Sequence, residues 1–268
     1  MVGITSVNGL HLSMEERFYK IKSAGFDSIL LWWGDDEAEP RKERILLAEK
    51  YNLSIENVHT STEHLNAIWK SGDEGEHTLL KLMQEIRDCS LYGINTMVLH
   101  LTNGSCPPPV SEIGSNRMER LIVFAENLNV RLAFENVRLP QHTRYILDKY
   151  HTPFVALCYD SGHENCWSPQ INWLDLYRHR IAAIHLHDNF RDGDSHLIPF
   201  DGTVDWEQKA KAIAASSYLG AVTIEAEYRS SKAYEINGFD FFLKKAYEKS
   251  VTISRMISHY KYRKVQPL

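Results

Sequence analysis

The sequence predicts a single-domain α/β protein spanning residues 1–268, a (β/α)8 barrel of the TIM type. Two observations carry that prediction. Strand-like and helix-like stretches alternate from end to end, a pattern that favours right-handed parallel crossovers. In addition, six successive apolar runs close on His, Glu or Asp: Ser54–His59, Thr96–His100, Val130–Glu135, Phe154–Asp160, Ile181–His185 and Ala221–Glu225. Barrel closure would gather those strand ends into one ring, the face on which (β/α)8 barrels carry their sites. A doubly wound open sheet fits less well. Its ligand residues belong at one switch point, and no Gly-x-Gly-x-x-Gly follows any strand here.

Taken in order, Val2–Thr5 is a short β-like run. Residues 13–24 follow as an amphipathic helix, opened by the capping box Ser13-Met-Glu-Glu16 and stopped at Gly25. Asp27–Trp33 reads as the second strand, and a helix from Pro40 to Tyr51 has proline in its first turn. The strand ending at His59 leads through a long irregular connection to a helix over Glu76–Leu91, ended by Gly93. The strand ending at His100 leads past Pro107-Pro-Pro109 to a helix over Ser115–Leu128. Later units pair the Glu135 strand with Pro140–Lys149 and the Asp160 strand with a helix around Trp173–His179. The His185 strand is followed by a polar loop and Trp206–Ser216, and the Glu225 strand by Phe239–His259. That makes eight strands and eight helices, with no linker or low-complexity segment.

Composition narrows the function classes. A formal net charge of −5 supplies no footprint for wrapping a polyanion, so a nucleic-acid partner is not expected. The one dense basic stretch, His259-Tyr-Lys-Tyr-Arg-Lys264, reads as a solvated helix end with cations near the negative pole of the dipole. Four cysteines (Cys89, Cys106, Cys158, Cys166) without CxxC pairing fit a reduced chain. The start, Met-Val-Gly-Ile-Thr-Ser, has no basic start, apolar core or cleavage site, and no apolar run nears the roughly 20 residues of a membrane span. A cytoplasmic protein is expected, with no membrane partner and with homo-oligomerisation open.

Three more residues join the six strand-end side chains. His163 follows Asp160 in Asp-Ser-Gly-His, where a tight turn could present both to one cavity, and Asp194 and His196 stand two apart in the loop after His185. The set is then nine: His59, His100, Glu135, Asp160, His163, His185, Asp194, His196 and Glu225. One divalent ion needs three or four protein ligands, so nine imply more than one ion. Each residue also has a plainer role. A single strand-end histidine is commonly a hydrogen-bonded core group, Asp160 could cap a helix, and Asp194 could form a turn beside Gly193. Glu135 and Glu225 end apolar strands and require a cationic partner, either a metal or an arginine such as Arg138 or Arg229. Matching positions on consecutive units favour the metal.

The segments Cys-Tyr-Asp160-Ser-Gly-His163, His185-Leu-His-Asp188 with Asp194-Ser-His196, and Phe-Glu135-Asn resemble those of the xylose-isomerase-like TIM-barrel superfamily. The resemblance runs from the strand before His59 to Glu225, and Phe200-Asp-Gly-Thr-Val-Asp-Trp206 is typical of the sugar-acting members. It implies one of two ligand sets. The sugar-epimerase pattern uses one ion held by Glu135, Asp160, His185 and Glu225, with the two glutamates as acid and base. The endonuclease IV pattern uses three zinc ions and all nine side chains. His185 is preferred to His187 as the ligand because His-Leu-x-Asp is the superfamily pattern.

The expected activity is that of a divalent-metal-dependent isomerase or epimerase, with zinc or manganese and one to three ions, acting on a small sugar, sugar phosphate or polyol. A metal holding a carbonyl and its neighbouring hydroxyl stabilises the enediolate formed on proton abstraction, with Glu135 and Glu225 as catalytic acid and base. His187, Arg138 and Arg229 are candidates for holding substrate oxygens. Trp32, Trp33 and Trp69 could supply apolar walls against a sugar face, core packing being the plainer role of each. Two alternatives share these residues: a dehydratase acting on a cyclitol or sugar acid, and an endonuclease IV-type phosphodiester hydrolase.

Overall fold

The computed structural model describes residues 1–9 and 11–265, with the side chains of Arg263 and Lys264 from the basic stretch outside the described set. Eight strands form the barrel: β1 (Val2–Thr5), β2 (Ser28–Trp32), β3 (Ser54–His59), β4 (Thr96–Leu99), β5 (Arg131–Glu135), β6 (Val155–Asp160), β7 (Ile181–His185) and β8 (Val222–Ile224). All neighbouring pairs are parallel, in the order β7-β6-β5-β4-β3-β2-β1-β8. Beyond the ends of β7 and β8 the ring closes through Leu186 N–H to Thr223 O at 2.9 Å and Glu225 N–H to Leu186 O at 3.0 Å. Parallel strands covered by helices are buried on both faces, which explains their nearly continuous apolar runs. Small residues fill one inner layer: Val98, Ala133, Cys158 and Ala183 pack together below the strand ends. The opposite parity, including Ile29, Leu31, Trp33, Leu132, Phe134 and Tyr159, packs under the helices.

The outer layer is α1 (Met14–Ser23), α2 (Arg41–Lys50), α3 (Asp73–Leu91), α4 (Glu112–Asn127), α5 (Pro140–Lys149), α6 (Ser161–Trp167), α7 (Trp173–Leu176), α8 (Trp206–Ala215), α9 (Lys232–Asn237) and α10 (Phe239–Val265). The capping box forms as expected, with Glu16 N–H bonded to Ser13 Oγ and Ser13 N–H bonded to Glu16 Oε2. Strict one-to-one alternation does not hold. α6 and α9 are additional helices, and the helix expected around Trp173–His179 stops at Leu176. The chain must turn there to place Arg180, whose guanidinium satisfies the carbonyls of Leu147, Tyr150 and Val155. Among the described residues no helix is long and apolar enough to cross a membrane.

Candidate metal centre

All six strand-end side chains stand on one face of the barrel. His59, Glu135, Asp160 and His185 are the last residues of β3, β5, β6 and β7, while His100 and Glu225 follow β4 and β8 directly. In-phase strands explain the convergence: His185 is the register partner of Asp160, so both side chains project to the same side. His163 arrives by a different route. Asp160 caps α6 by accepting the His163 N–H at 2.6 Å, which turns the chain within one residue of the strand end. The plainer capping role and the ligand role of Asp160 are thus compatible, since Oδ1 serves the cap and Oδ2 is left over. Asn136 fixes the same carboxylate's backbone, accepting the Asp160 N–H at 2.7 Å and donating to its carbonyl at 2.8 Å.

Glu135 is at the centre. Oε2 lies 3.1 Å from His59 Nε2, 3.3 Å from His100 Nε2 and 3.5 Å from His185 Nδ1, and Oε1 lies 3.0 Å from His163 Nδ1. Glu225 Oε2 is 3.1 Å from His185 Nδ1. Asp194 Oδ2 faces His163 Nε2 at 3.2 Å and His196 Nε2 at 3.3 Å. Ligand-type atoms fall into three groups, each with all atoms within 4.8 Å of one another: His59, Glu135 and His185; Glu135, Asp160, His185 and Glu225; and His163, His187, Asp194 and His196.

Two tautomers are settled by backbone carbonyls, which can only accept. His59 Nδ1 donates to Thr60 O and His196 Nδ1 donates to Glu225 O, both at 2.7 Å. In the neutral rings, Nε2 therefore presents a lone pair to a carboxylate oxygen, a repulsive pairing unless a cation lies between them. Histidine ligands commonly carry such a second hydrogen bond to a carbonyl. Other buried atoms have no hydrogen-bond partner: Asp160 Oδ2, His163 Nδ1, both ring nitrogens of His185 and His187, and Asp194 Oδ1. Buried polar atoms are otherwise nearly always satisfied. The donor set, imidazole and carboxylate around one cavity, fits divalent cations.

Electrostatics point the same way. Burial alone would raise the Glu135 carboxyl, but the imidazoles of His100, His163 and His185 hold it well below the usual carboxylate range. Burial opposes protonation of His163 and His185, yet the facing carboxylates and, at His185, the Cys158 thiol lift both well above an ordinary imidazole. Against the same penalty, the Asp194 carboxylate lifts His196 to about 10. Glu225 is lowered to about 2, since the neighbouring His185 outweighs its burial. The site thus concentrates ionised carboxylates that demand positive charge.

A cleft of about 430 Å³ opens onto these groups. Its walls include Trp32, Asp36, Glu37, His59, His100, Glu135, His163, Asp194, His196, Glu225 and Glu227. The expectation that Trp33 forms a wall is corrected. It is fully buried in the helix-facing core, edge-on to Tyr92 and beneath the Arg41 guanidinium. Trp32 is the wall instead, stacked on His59 at 5.5 Å between ring centroids. Its register partner is His59, so the pairing of β2 with β3 chooses between the two tryptophans. Trp69 is also core, donating to Leu101 O at 2.7 Å. Arg229 lies apart, in a neighbouring cleft with Asn8, Gly9 and His11. Arg138 is nearer, covering Trp167 at 4.9 Å in a side cleft shared with His100, His163 and Asp194. His187, expected to face substrate, is fully buried among the donors behind the cleft, packed parallel to His196 with ring centroids 3.9 Å apart. Trp167, stacked on His163 at 4.6 Å, and the acidic rim residues Asp36 and Glu227 carried no sequence signal.

Comparison with known proteins agrees with this architecture. A D-tagatose 3-epimerase-like protein superposes with a TM-score of 0.74 at 17% identity, covering 99% of each chain. D-psicose 3-epimerase from Clostridium cellulolyticum H10, solved with D-tagatose, gives 0.74 at 12% identity over 96% of this chain and 99% of that one. The IOLI protein with a bound zinc atom gives 0.73 at 13% identity over 97% and 99%. At these identities the likeness is one of fold. In sequence, the chain is 36% identical over 115 residues to the uncharacterized protein y4fM of Sinorhizobium fredii, a match spanning 42% of this chain and 36% of that protein's length. The family model described as xylose isomerase-like TIM barrel matches residues 18–251, and the chain belongs to that family.

Proposed function

We propose that the protein is a divalent-metal-dependent isomerase or epimerase acting on a small, uncharged polyhydroxylated carbonyl compound. The observation that carries this reading is the group Glu135, Asp160, His185 and Glu225, of which Glu135 and Glu225 line the cleft and Asp160 and His185 are buried beneath it. A divalent cation such as zinc or manganese bound by these side chains would polarise a carbonyl and its neighbouring hydroxyl and stabilise the charge left by proton loss. Glu225, 14% exposed in its side chain and ionised, is the base that takes the carbon-bound proton; in isomerisation it returns that proton to the neighbouring carbon, and in epimerisation Glu135 supplies a proton to the opposite face. Glu135, 1% exposed and faced by four imidazoles, acts mainly as a ligand that joins the groups and sets their charge. Trp32 offers an apolar face to the substrate ring or chain, and Arg138 can reach oxygens at its far end.

Charge favours an uncharged substrate. The cleft rim carries Asp36 and Glu227, Glu37 being paired with Arg17 at 2.8 Å, and the described residues lining it include no lysine or arginine. Sugar 3-epimerases among the structural neighbours act on substrates of this class by their names. The test is to incubate the metal-loaded protein with neutral ketoses and inososes in heavy water and follow carbon-bound deuterium by NMR. Exchange with no change of mass beyond the incorporated deuterium supports epimerisation or isomerisation. Loss of water identifies a dehydratase, and no exchange with any such compound overturns the proposal.

A second reading, phosphodiester hydrolysis at a multinuclear zinc site, is favoured by one observation: the nine expected ligands do come together. The acidic rim opposes it, because duplex backbone binding rests on several Lys or Arg contacts. Cleavage of abasic-site DNA at catalytic protein concentration would establish it.

A further inference from the structure

We propose that Asp36 determines specificity: it accepts a hydroxyl hydrogen from a substrate laid against Trp32 and turns away a phosphate at the same place. The inference rests on the isomerase reading above and deepens it, since it names the side chain that reads the substrate's hydroxyls. Both residues line the cleft. Trp32 Nε1–H donates to Asp36 Oδ1 at 2.7 Å, which sets the carboxylate at the polar edge of the indole. The indole itself is stacked on His59, and among the described residues Asp36 makes no ion pair and no other hydrogen bond.

An apolar plate with a charged acceptor at its edge suits a polyol. The carbon-bound face of the substrate packs on the ring, and an adjacent hydroxyl donates to the carboxylate in a charge-assisted bond. The indole N–H occupies one lone pair of Asp36, so the remaining ones are available to the substrate. A phosphate at that place would set anion against anion, and such a penalty selects by exclusion.

An exposed aspartate on a loop is ordinarily mobile, but two buried arginines hold this loop on either side of Asp36. Arg17 of α1 grips the Glu37 carboxylate with two bonds, at 2.8 and 3.1 Å, and donates to Ser6 O at 2.8 Å. Arg44 of α2 donates to the carbonyls of Trp32 and Gly34, both at 2.9 Å, and of Glu39 at 2.7 Å. Ser6 Oγ accepts the Trp32 N–H at 3.0 Å. The rigid guanidinium forks thus make Arg17 and Arg44 positioning residues, and a carboxylate fixed before binding loses little freedom on binding. Gly34 completes the arrangement by close approach: a β-carbon there would lie 2.3 Å from Asp36 Oδ1 and 2.5 Å from Trp32 Nε1.

The test uses full-length, metal-loaded protein with neutral ketohexoses, their monodeoxy analogues and the ketohexose 6-phosphates. Deuterium exchange gives kcat and KM, and metal per chain and melting temperature are measured beside them. Asp36→Asn keeps an oxygen for the indole N–H but replaces the free acceptor by a donor. It should raise KM for the ketohexose about tenfold or more, with kcat much less affected and metal content unchanged. For wild type, one monodeoxy analogue should have a KM about tenfold above its parent, and in Asp36→Asn that difference should vanish. A general loosening of the fold would not erase the penalty for one hydroxyl alone. The preference for the ketohexose over its 6-phosphate should narrow in the same variant. Gly34→Ala pushes Asp36 away from Trp32 while leaving the carboxylate in the chain, and it should raise KM likewise. Unchanged KM and an undiminished deoxy penalty in both variants would overturn this inference and leave the isomerase reading standing. Wild type that exchanges deuterium with no neutral ketose or inosose would overturn that reading and this assignment with it.

Discussion

Gly162 lies directly against the imidazole of His187: a β-carbon at that position would overlap the ring's Cε1, Nδ1 and Nε2 atoms. The ring has no room to retreat, since His196 packs parallel to it on the donor side. Glycine is therefore required here for close approach and not for an unusual backbone. Gly162→Ala should cost about 1–3 kcal/mol by overpacking and shift both imidazoles. Calorimetry and metal analysis together check this. A variant with wild-type melting temperature and metal content would show that the ring packing has slack.

Replacing Glu225 removes both the base and one carboxylate of the metal-binding group. Glu225→Gln keeps the side chain's shape, so turnover should fall about a hundredfold or more, with partial loss of metal from the group it shares with Glu135, Asp160 and His185. Glu135→Gln should abolish turnover too, but by a different route. It removes negative charge facing His59, His100, His163 and His185, so metal content should drop with activity. Full turnover in Glu225→Gln would refute its role as base.

The two adjacent tryptophans provide a contrast of the opposite kind. Trp33→Ala opens a cavity in the helix-facing core and should cost about 3–5 kcal/mol in denaturant unfolding. Trp32→Ala removes a cleft wall and should cost about 1 kcal/mol while raising KM. Equal destabilisation by both changes would contradict the assigned parity.

Much of this site was legible because parallel strands end in register, so ligand residues at strand ends must meet whatever the loops do. The choice between Trp32 and Trp33 needed pairing register, which links Trp32 to His59 and becomes visible only when β2 lies beside β3. The depth of His187 was not legible at all. It shares parity with His185, but its depth depends on long-range contacts: Ser161 Oγ holds its backbone and Gly162 leaves room for the ring. α6 was hidden because Ser161 and Gly162 are poor helix formers, and tertiary demands (the Asp160 cap and the space for His187) override that local preference. The closing of the nine donors around Glu135 was expected; the four imidazole contacts to its carboxylate were not.

A group outside the site governs one pH dependence. Burial raises the Glu85 carboxyl to about 7, only partly offset by Arg41 at 3.1 Å. The folded state then holds this proton more tightly than the unfolded chain. Its stabilising contribution is complete below about pH 4.5 and disappears as pH rises through about 7. The expected span is about 3 kcal/mol. Glu85→Gln should remove that part of the slope, so urea unfolding of variant and wild type at pH 5 and pH 8 measures it directly. Parallel stability profiles would contradict the assignment.

Metal removal tests the whole centre at once. Without cations, His59 and His196 point Nε2 lone pairs at carboxylates, or carry extra protons in a buried cavity, and either state costs free energy. Chelation should therefore lower the melting temperature, and re-addition of zinc or manganese should restore it. Because the ion binds the folded state preferentially, the rise should grow with the logarithm of free metal, about 1.4 kcal/mol for each tenfold excess over Kd. A single melting temperature, independent of chelator and of added metal, would mean that protons alone satisfy the carboxylates around Glu135 and Asp194, and the isomerase proposal would lose its physical basis.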